Sequence, residues 1–201
     1  MLVIKRKTKI WICALSSIVL VCIAGLAAWM LLYGGSSAKH FTRSEPRGRF
    51  AELIQPDTPY HVKRVVDGDT LVADVAGHEV TLRLIGIDTP EVVDRRKPVQ
   101  CFGKEASEEG KRLLADKDVL IEKDPSKSDY DLYGRTLAYI KLPDGLFYNR
   151  YMIEHGFARE YTYSHEPYRY RNDFVSAQQK ARSDKVGLWN PAACNGRQDA
   201  I

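Results

Sequence analysis

No Cys-x-x-Cys pair, no Gly-x-Ser-x-Gly elbow and no Gly-x4-Gly-Lys loop occurs in these 201 residues. Their absence argues against a zinc ribbon, an α/β-hydrolase serine nucleophile and a Walker-type nucleotide site. The five histidines, His40, His61, His78, His155 and His165, are not paired at metal-ligand spacing and read as surface or partly packed residues. His61-Val62-Lys63 opens like a His-x-Lys-x4-Asp phosphodiesterase motif, but the position that needs Asp is Gly68. Net charge is also scarce. All of the +4 resides in Lys5, Arg6, Lys7 and Lys9, and the remainder of the chain carries equal numbers of basic and acidic side chains. A basic coat that binds polyanions by bulk charge is excluded, so any phosphate recognition must come from a few placed residues. With 44% hydrophobic and 28% charged residues the chain is neither disordered nor collagen-like, and its length allows one ordinary domain with an appendage.

What is present begins with an uncharged run from Ile10 to Tyr33. As a helix it would span roughly 36 Å, enough for a hydrocarbon core of ~30 Å. Trp11 lies at one end, and Trp29 and Tyr33 near the other, where aromatic rings favour the interface. The preceding cations predict a cytoplasmic segment over 1–9, a single-pass transmembrane anchor over 10–33 and an extracytoplasmic remainder. A cleaved signal peptide and a secreted product are the alternative, because Ser36-Ser37-Ala38 resembles a small-residue cleavage site. Residues 34–59, with Gly34, Gly35, Pro46, Gly48, Pro56 and Pro59, read as a linker; 60–190 as the globular domain; 191–201 as a tail.

Within the domain, His61–Val66, Leu71–Val75 and Val80–Ile85 read as a three-strand meander, separated by Asp67-Gly68-Asp69 and Ala76-Gly77-His78 turns. Phe102–Ala115 suits a helix, Val119–Glu122 and Thr136–Leu142 two further strands, and Asn149–His155 and Arg171–Lys185 two further helices. Five strands and three helices, with connections too short for crossovers in the meander, predict a small α+β fold: a closed five-stranded barrel with helices packed on it.

The residues that could carry chemistry are acids and arginines at strand ends. Asp67, Asp69 and Thr70 occupy the first turn, and Asp88, Thr89 and Glu91 follow the third strand, so both groups can converge on one rim. Clustered carboxylate and carbonyl oxygens suit a hard cation such as Ca²⁺ or Mg²⁺. Taken singly, each segment reads equally as a turn.

Taken in order, the segments are far more specific. Val-Asp-Gly-Asp-Thr (66–70), Arg-Leu-Ile-Gly-Ile-Asp-Thr-Pro-Glu (83–91), Phe-Gly-Lys-Glu-Ala (102–106), Asp-Leu-Tyr-Gly-Arg-Thr-Leu-Ala-Tyr (131–139), Asn149, Gly-Phe-Ala (156–158) and Gly-Leu-Trp (187–189) succeed one another. The series resembles the thermonuclease (staphylococcal nuclease) family over roughly residues 60–190. The resemblance implies an OB-fold barrel with three helices and Ca²⁺-dependent endonucleolytic hydrolysis of DNA and RNA. It further implies that Asp69 and Asp88 bind Ca²⁺ through carboxylates and Thr89 through its carbonyl. Glu91 would position or deprotonate the attacking water, and Arg83 and Arg135 would hold the scissile phosphate. Salt bridges to neighbouring carboxylates are the other reading of the two arginines, and both can hold in the free enzyme.

Tyr161 and Tyr163 fall where family members place tyrosines beside the nucleotide, at a spacing one residue shorter. Tyr133 is open to a substrate contact or a place in the barrel wall, as Tyr139 is, and Lys97 in Arg95-Arg96-Lys97 to a flanking phosphate contact or a solvated charge run. Leu132 stands where the family often carries Lys, which removes one phosphate contact. Of the four cysteines, Cys13 and Cys22 lie in the apolar run, leaving Cys101 and Cys194 to form a disulfide in an oxidising compartment or to remain two thiols. A non-catalytic OB-fold module that binds nucleic acid or protein is the competing function; degenerate relatives of that kind usually lose the acids or arginines that this chain keeps.

Overall fold

A computed structural model describes residues 50–92 and 99–197. Strand β1 (Pro59–Val65) turns through Asp67-Gly68-Asp69 into β2 (Thr70–Val75), which turns through Ala76-Gly77 into β3 (His78–Leu84). Ala76 and Gly77 both have positive φ, 54° and 84°. That is the backbone of a two-residue hairpin turn whose twist matches the strands, and it sets Val75 opposite His78. β5 (Asp118–Glu122) and β6 (Thr136–Lys141) complete a closed barrel of order β1-β2-β3-β6-β5. β3 and β6 form its one parallel pair. The intervening chain, with helix α1 (Gly103–Leu114) and β5, supplies the long crossover that a parallel pair requires.

Alternation along the strands points Tyr60, Val62, Leu71, Ala73, Leu82, Leu84, Ile121 and Ile140 inward. Helix α2 (Tyr148–Glu154) adds Met152 and Ile153, and α3 (Arg171–Ser183) adds Phe174 and Ala177 to the same core. Each fully buried side chain of this size stabilises the fold by roughly 1.5–3 kcal/mol. The barrel with three helices agrees with the OB-type α+β architecture expected from the sequence. A second, two-stranded sheet was not expected: β4 (Ile87–Asp88) pairs antiparallel with β7 (Arg159–Glu160). Two residues are too few to show a period.

The membrane assignment is corrected. Among the described residues no helix is long and apolar enough to cross a membrane. The longest, α3, has 13 residues and would reach only ~20 Å of the ~30 Å needed. The run 10–33 expected as an anchor lies outside the described residues, as do 1–9 and 34–49, and the membrane-anchored localisation is withdrawn. The last part of the expected linker belongs to the folded unit: Phe50–Leu53 forms a 3-10 turn, and Ala51 and Ile54 are buried. The Ala51 N–H donates to the Tyr130 hydroxyl at 2.9 Å.

Cys101, at the approach to α1, is joined to Cys194, 93 positions further along the sequence, by a disulfide with Cα atoms 5.8 Å apart. The bridge fastens the tail, where Cys194 is buried. Replacing both cysteines by Ala is expected to lower unfolding free energy by about 2–4 kcal/mol. Urea titration checks this, and intact mass after alkylation without reduction should show no addition at either cysteine.

Candidate active site

The turn between β1 and β2 is shaped to face β4. The Asp69 N–H donates to Asp67 Oδ1 at 3.1 Å, and the Leu84 N–H donates to the Asp69 carbonyl at 2.9 Å, tying the turn to the end of β3. From below, the buried Tyr148 hydroxyl donates to the Gly68 carbonyl at 2.9 Å. A Cβ at Gly68 would come within 2.6 Å of Thr89 Cγ2, so glycine is what allows this close approach.

Asp69 therefore meets Thr89 directly. Its Oδ2 accepts the Thr89 N–H at 3.0 Å and the Thr89 hydroxyl at 3.2 Å, while its Oδ1 accepts the Thr70 hydroxyl at 2.9 Å. Arg83, projecting from β3, reaches the same place. Its Nη1 donates to the carbonyls of Leu84 at 2.7 Å and Ile87 at 2.9 Å. Its Nη2 lies 3.3 Å from Asp69 Oδ2 and 3.8 Å from Asp88 Oδ1. Four of the expected residues, Asp69, Arg83, Asp88 and Thr89, thus form one cluster. Its open side is at Asp88, whose side chain is 39% exposed against 9% for Asp69.

Glu91 follows three residues after Asp88, beyond Pro90. Its N–H donates to Gln100 Oε1 at 2.8 Å, and its carbonyl accepts the Gln100 N–H at 3.0 Å. Arg135 enters from the neighbouring strand: in the parallel β3–β6 ladder Leu137 pairs with Arg83, and Arg135 stands two residues before it. Its Nε donates to Asp131 Oδ2 at 2.7 Å, and its guanidinium lies 5.4 Å from the Tyr133 ring. Asp131 Oδ1 accepts the backbone N–H of both Tyr133 and Arg135. Both arginines are therefore paired with carboxylates here.

Of the tyrosines left open by the sequence, Tyr139 is in the core and Tyr133 is 80% exposed. Tyr161 and Tyr163 are exposed, with ring centroids 6.4 Å apart. The small β4–β7 sheet sets Asp88 opposite Arg159, and the Tyr161 N–H donates to the Gly86 carbonyl at 3.1 Å. Lys97, with Arg95 and Arg96, lies outside the described residues. The sequence reading missed Asp131 and Gln100. Asp131 had a signal, an Asp-x-x-Gly turn with Arg four residues on; Gln100 had none, because its partner is set by the approach of α1.

Burial, and secondarily the nearby Asp69 carboxylate, push the Asp67 carboxyl up to about 7. Among the described residues no group of three or more His, Cys, Asp or Glu is arranged to hold a metal by side chains alone. The donors that fit a hard cation are a mixed oxygen set: the carboxylates of Asp69 and Asp88 with the Thr89 carbonyl. Asp69 Oδ1 accepts one hydrogen bond, from Thr70, and a carboxylate oxygen can accept two, so lone-pair capacity remains for a cation.

A five-stranded OB-type barrel with Asp69, Arg83, Asp88 and Thr89 gathered in one cluster defines the class, and sequence comparison narrows it. The family described as "Staphylococcal nuclease homologue" matches residues 81–191, more than half of the chain. The Thermonuclease of Staphylococcus hyicus is 43% identical over 131 residues, covering 65% of this chain and 75% of that protein. The Thermonuclease of Staphylococcus intermedius is 42% identical over 130 residues, with the same coverage. Endonuclease YncB of Bacillus subtilis is 36% identical over 129 residues, covering 63% of this chain and 59% of that protein. This chain belongs to the staphylococcal nuclease family. It is a nuclease.

Proposed function

We propose that the protein is a Ca²⁺-dependent endonuclease that hydrolyses phosphodiester bonds in DNA and RNA, with its chemistry at the Asp69–Arg83–Asp88–Thr89 rim. The observation that carries this reading is the convergence of Arg83 Nη2 on two carboxylates, 3.3 Å from Asp69 and 3.8 Å from Asp88, beside the Thr89 backbone. A phosphodiester monoanion repels nucleophiles, so a site that cleaves it must offset both its charge and the charge added by attack. When bound by Asp69, Asp88 and the Thr89 carbonyl, Ca²⁺ supplies positive charge to the phosphate and to an approaching water.

The chain's own residues do the rest. Arg83 is held in place through Nη1, and its Nη2, which faces Asp69 and Asp88 here, turns to a phosphate oxygen when substrate binds. Arg135, held through Nε by Asp131, presents its outer nitrogens as a fork matched to two phosphate oxygens. Glu91 orients the attacking water or takes its proton. Tyr161 and Tyr163 offer exposed faces on which bases stack, a contact worth ~1–3 kcal/mol and tolerant of sequence. Tyr133 and Lys97 are assigned to flanking parts of the bound strand.

The test is cleavage of closed circular plasmid and of RNA by the purified protein in Ca²⁺ and in excess chelator. Loss of supercoiled plasmid and of intact RNA in Ca²⁺, abolished by chelator and restored by added Ca²⁺, is the expected result. Binding of either nucleic acid without cleavage would place the protein among non-catalytic OB-fold modules instead.

A further inference from the structure

Glu91 stands where the strand ladder no longer holds the backbone. β4 ends at Asp88, Thr89 is fastened by Asp69, and Pro90 has no N–H to donate. Gln100 takes hold at this point: its side-chain Oε1 accepts the Glu91 N–H at 2.8 Å, and its own N–H donates to the Glu91 carbonyl at 3.0 Å. One residue thus brackets both backbone polar groups of another, nine positions away.

Gln100 is in turn fixed on several sides. The Gly103 N–H donates to its carbonyl at 3.0 Å, closing the turn into α1. Its neighbour Cys101 is tied to Cys194. Phe102 adopts a φ of 68°, and its ring lies 5.8 Å from that of Phe157. At Gly103 an added Cβ would come within 2.6 Å of Val92 Cγ1 and 3.1 Å of the Glu91 carbonyl. The start of α1 is therefore pressed against the segment that carries Glu91, and glycine is what permits the contact. Disulfide, ring contact and close packing all converge on the turn from which Gln100 reaches across.

We infer that Gln100 is a positioning residue for catalysis, setting the backbone of Glu91 so that its carboxylate meets the attacking water. The inference rests on the role proposed above for Glu91. A group that orients or deprotonates water must lie within about 2.6–3.2 Å of it. Misplacement by 1 Å from outside the reacting centre can cost on the order of 100-fold in rate. Because Gln100 grips Glu91 rather than the phosphate-binding arginines, its loss acts on turnover and leaves substrate affinity in place.

Gln100→Met keeps the side chain's reach and removes the acceptor, while Gln100→Glu restores an acceptor at the same distance. The measurements are kcat and KM on DNA in saturating Ca²⁺, melting temperature, and hydrogen exchange at the Glu91 amide. Gln100→Met is expected to lower kcat roughly 10- to 100-fold with KM within about threefold, and to accelerate exchange at the Glu91 amide. Gln100→Glu is expected to recover most of both. In a Glu91→Gln background, Gln100→Met should cost no further turnover, since the group it positions is gone. If Glu91→Gln is inactive while Gln100→Met keeps wild-type kcat, or if the two losses multiply, the inference is overturned and the role of Glu91 stands. If Glu91→Gln itself keeps wild-type kcat, both fall together.

Discussion

Arg135→Ala is expected to lower turnover by roughly 10²–10³-fold or more, the usual cost of removing a donor aimed at transition-state charge. The fold should survive. The Arg135 side chain is partly exposed at a strand entrance, and Asp131 keeps the Tyr133 and Arg135 backbone N–H groups on its Oδ1 when the guanidinium is gone. Arg135→Lys should recover little, because an ammonium offers a point charge where the proposed role needs a planar fork. The contrast with Arg83 sharpens the test. Arg83 bonds two backbone carbonyls and approaches two carboxylates, so Arg83→Ala should lose stability as well as turnover. Steady-state cleavage rates beside melting curves separate the two. An Arg135→Ala enzyme with most of its activity would remove that residue from the phosphate site.

The largest expected loss of stability lies away from the site, at Asp124. This buried carboxylate accepts four hydrogen bonds. The Ser126 N–H and hydroxyl donate to Oδ1 at 2.9 and 2.7 Å; the Tyr139 hydroxyl and the Arg169 N–H donate to Oδ2 at 2.6 and 2.9 Å. It thereby joins the end of β5, the centre of β6 and the approach to α3. Asp124→Ala orphans the core Tyr139 hydroxyl and the Arg169 N–H at about 1–3 kcal/mol each. The total is expected to be about 3–5 kcal/mol, enough to threaten a domain of ordinary stability. Urea unfolding of the variant measures it, and a loss below about 1 kcal/mol would show that water replaces the carboxylate. Burial alone would raise the Asp124 carboxyl, but the donors from Arg169, Tyr139 and Ser126 outweigh it and hold the group below its ordinary value of 3.8. A lowered folded-state value means this contribution is complete above the unfolded value and is lost as pH falls through the folded one. Asp124→Asn should therefore flatten the acid limb of the stability profile.

The barrel strands and all three helices were legible in the sequence because each carries its own signal. β3 alternates and is separated from the apolar run of β2 by a Gly turn, and α1 and α3 place Ala106, Leu113, Phe174 and Ala177 at helical spacing. The family was legible because seven short motifs stand in a fixed order. The expected membrane helix rested on an uncharged run, its terminal aromatics and the cations before it, and no described helix supports it.

The chemical identities of the candidate residues, two Asp, a Thr, a Glu and two Arg, were set by the sequence, which carries them in compact motifs at strand ends. Which atoms meet was decided only by the tertiary structure. Closing the barrel through the parallel β3–β6 pair sets Leu137, two residues after Arg135, opposite Arg83, though Arg83 and Arg135 are 52 positions apart in the chain. The close approach at Gly68 lets Asp69 hold Thr89, and the approach of α1 at Gly103 lets Gln100 hold Glu91. Periodicity and turn chemistry are local properties, written in adjacent residues. A contact between distant segments depends on how whole elements pack, and packing has no local signature.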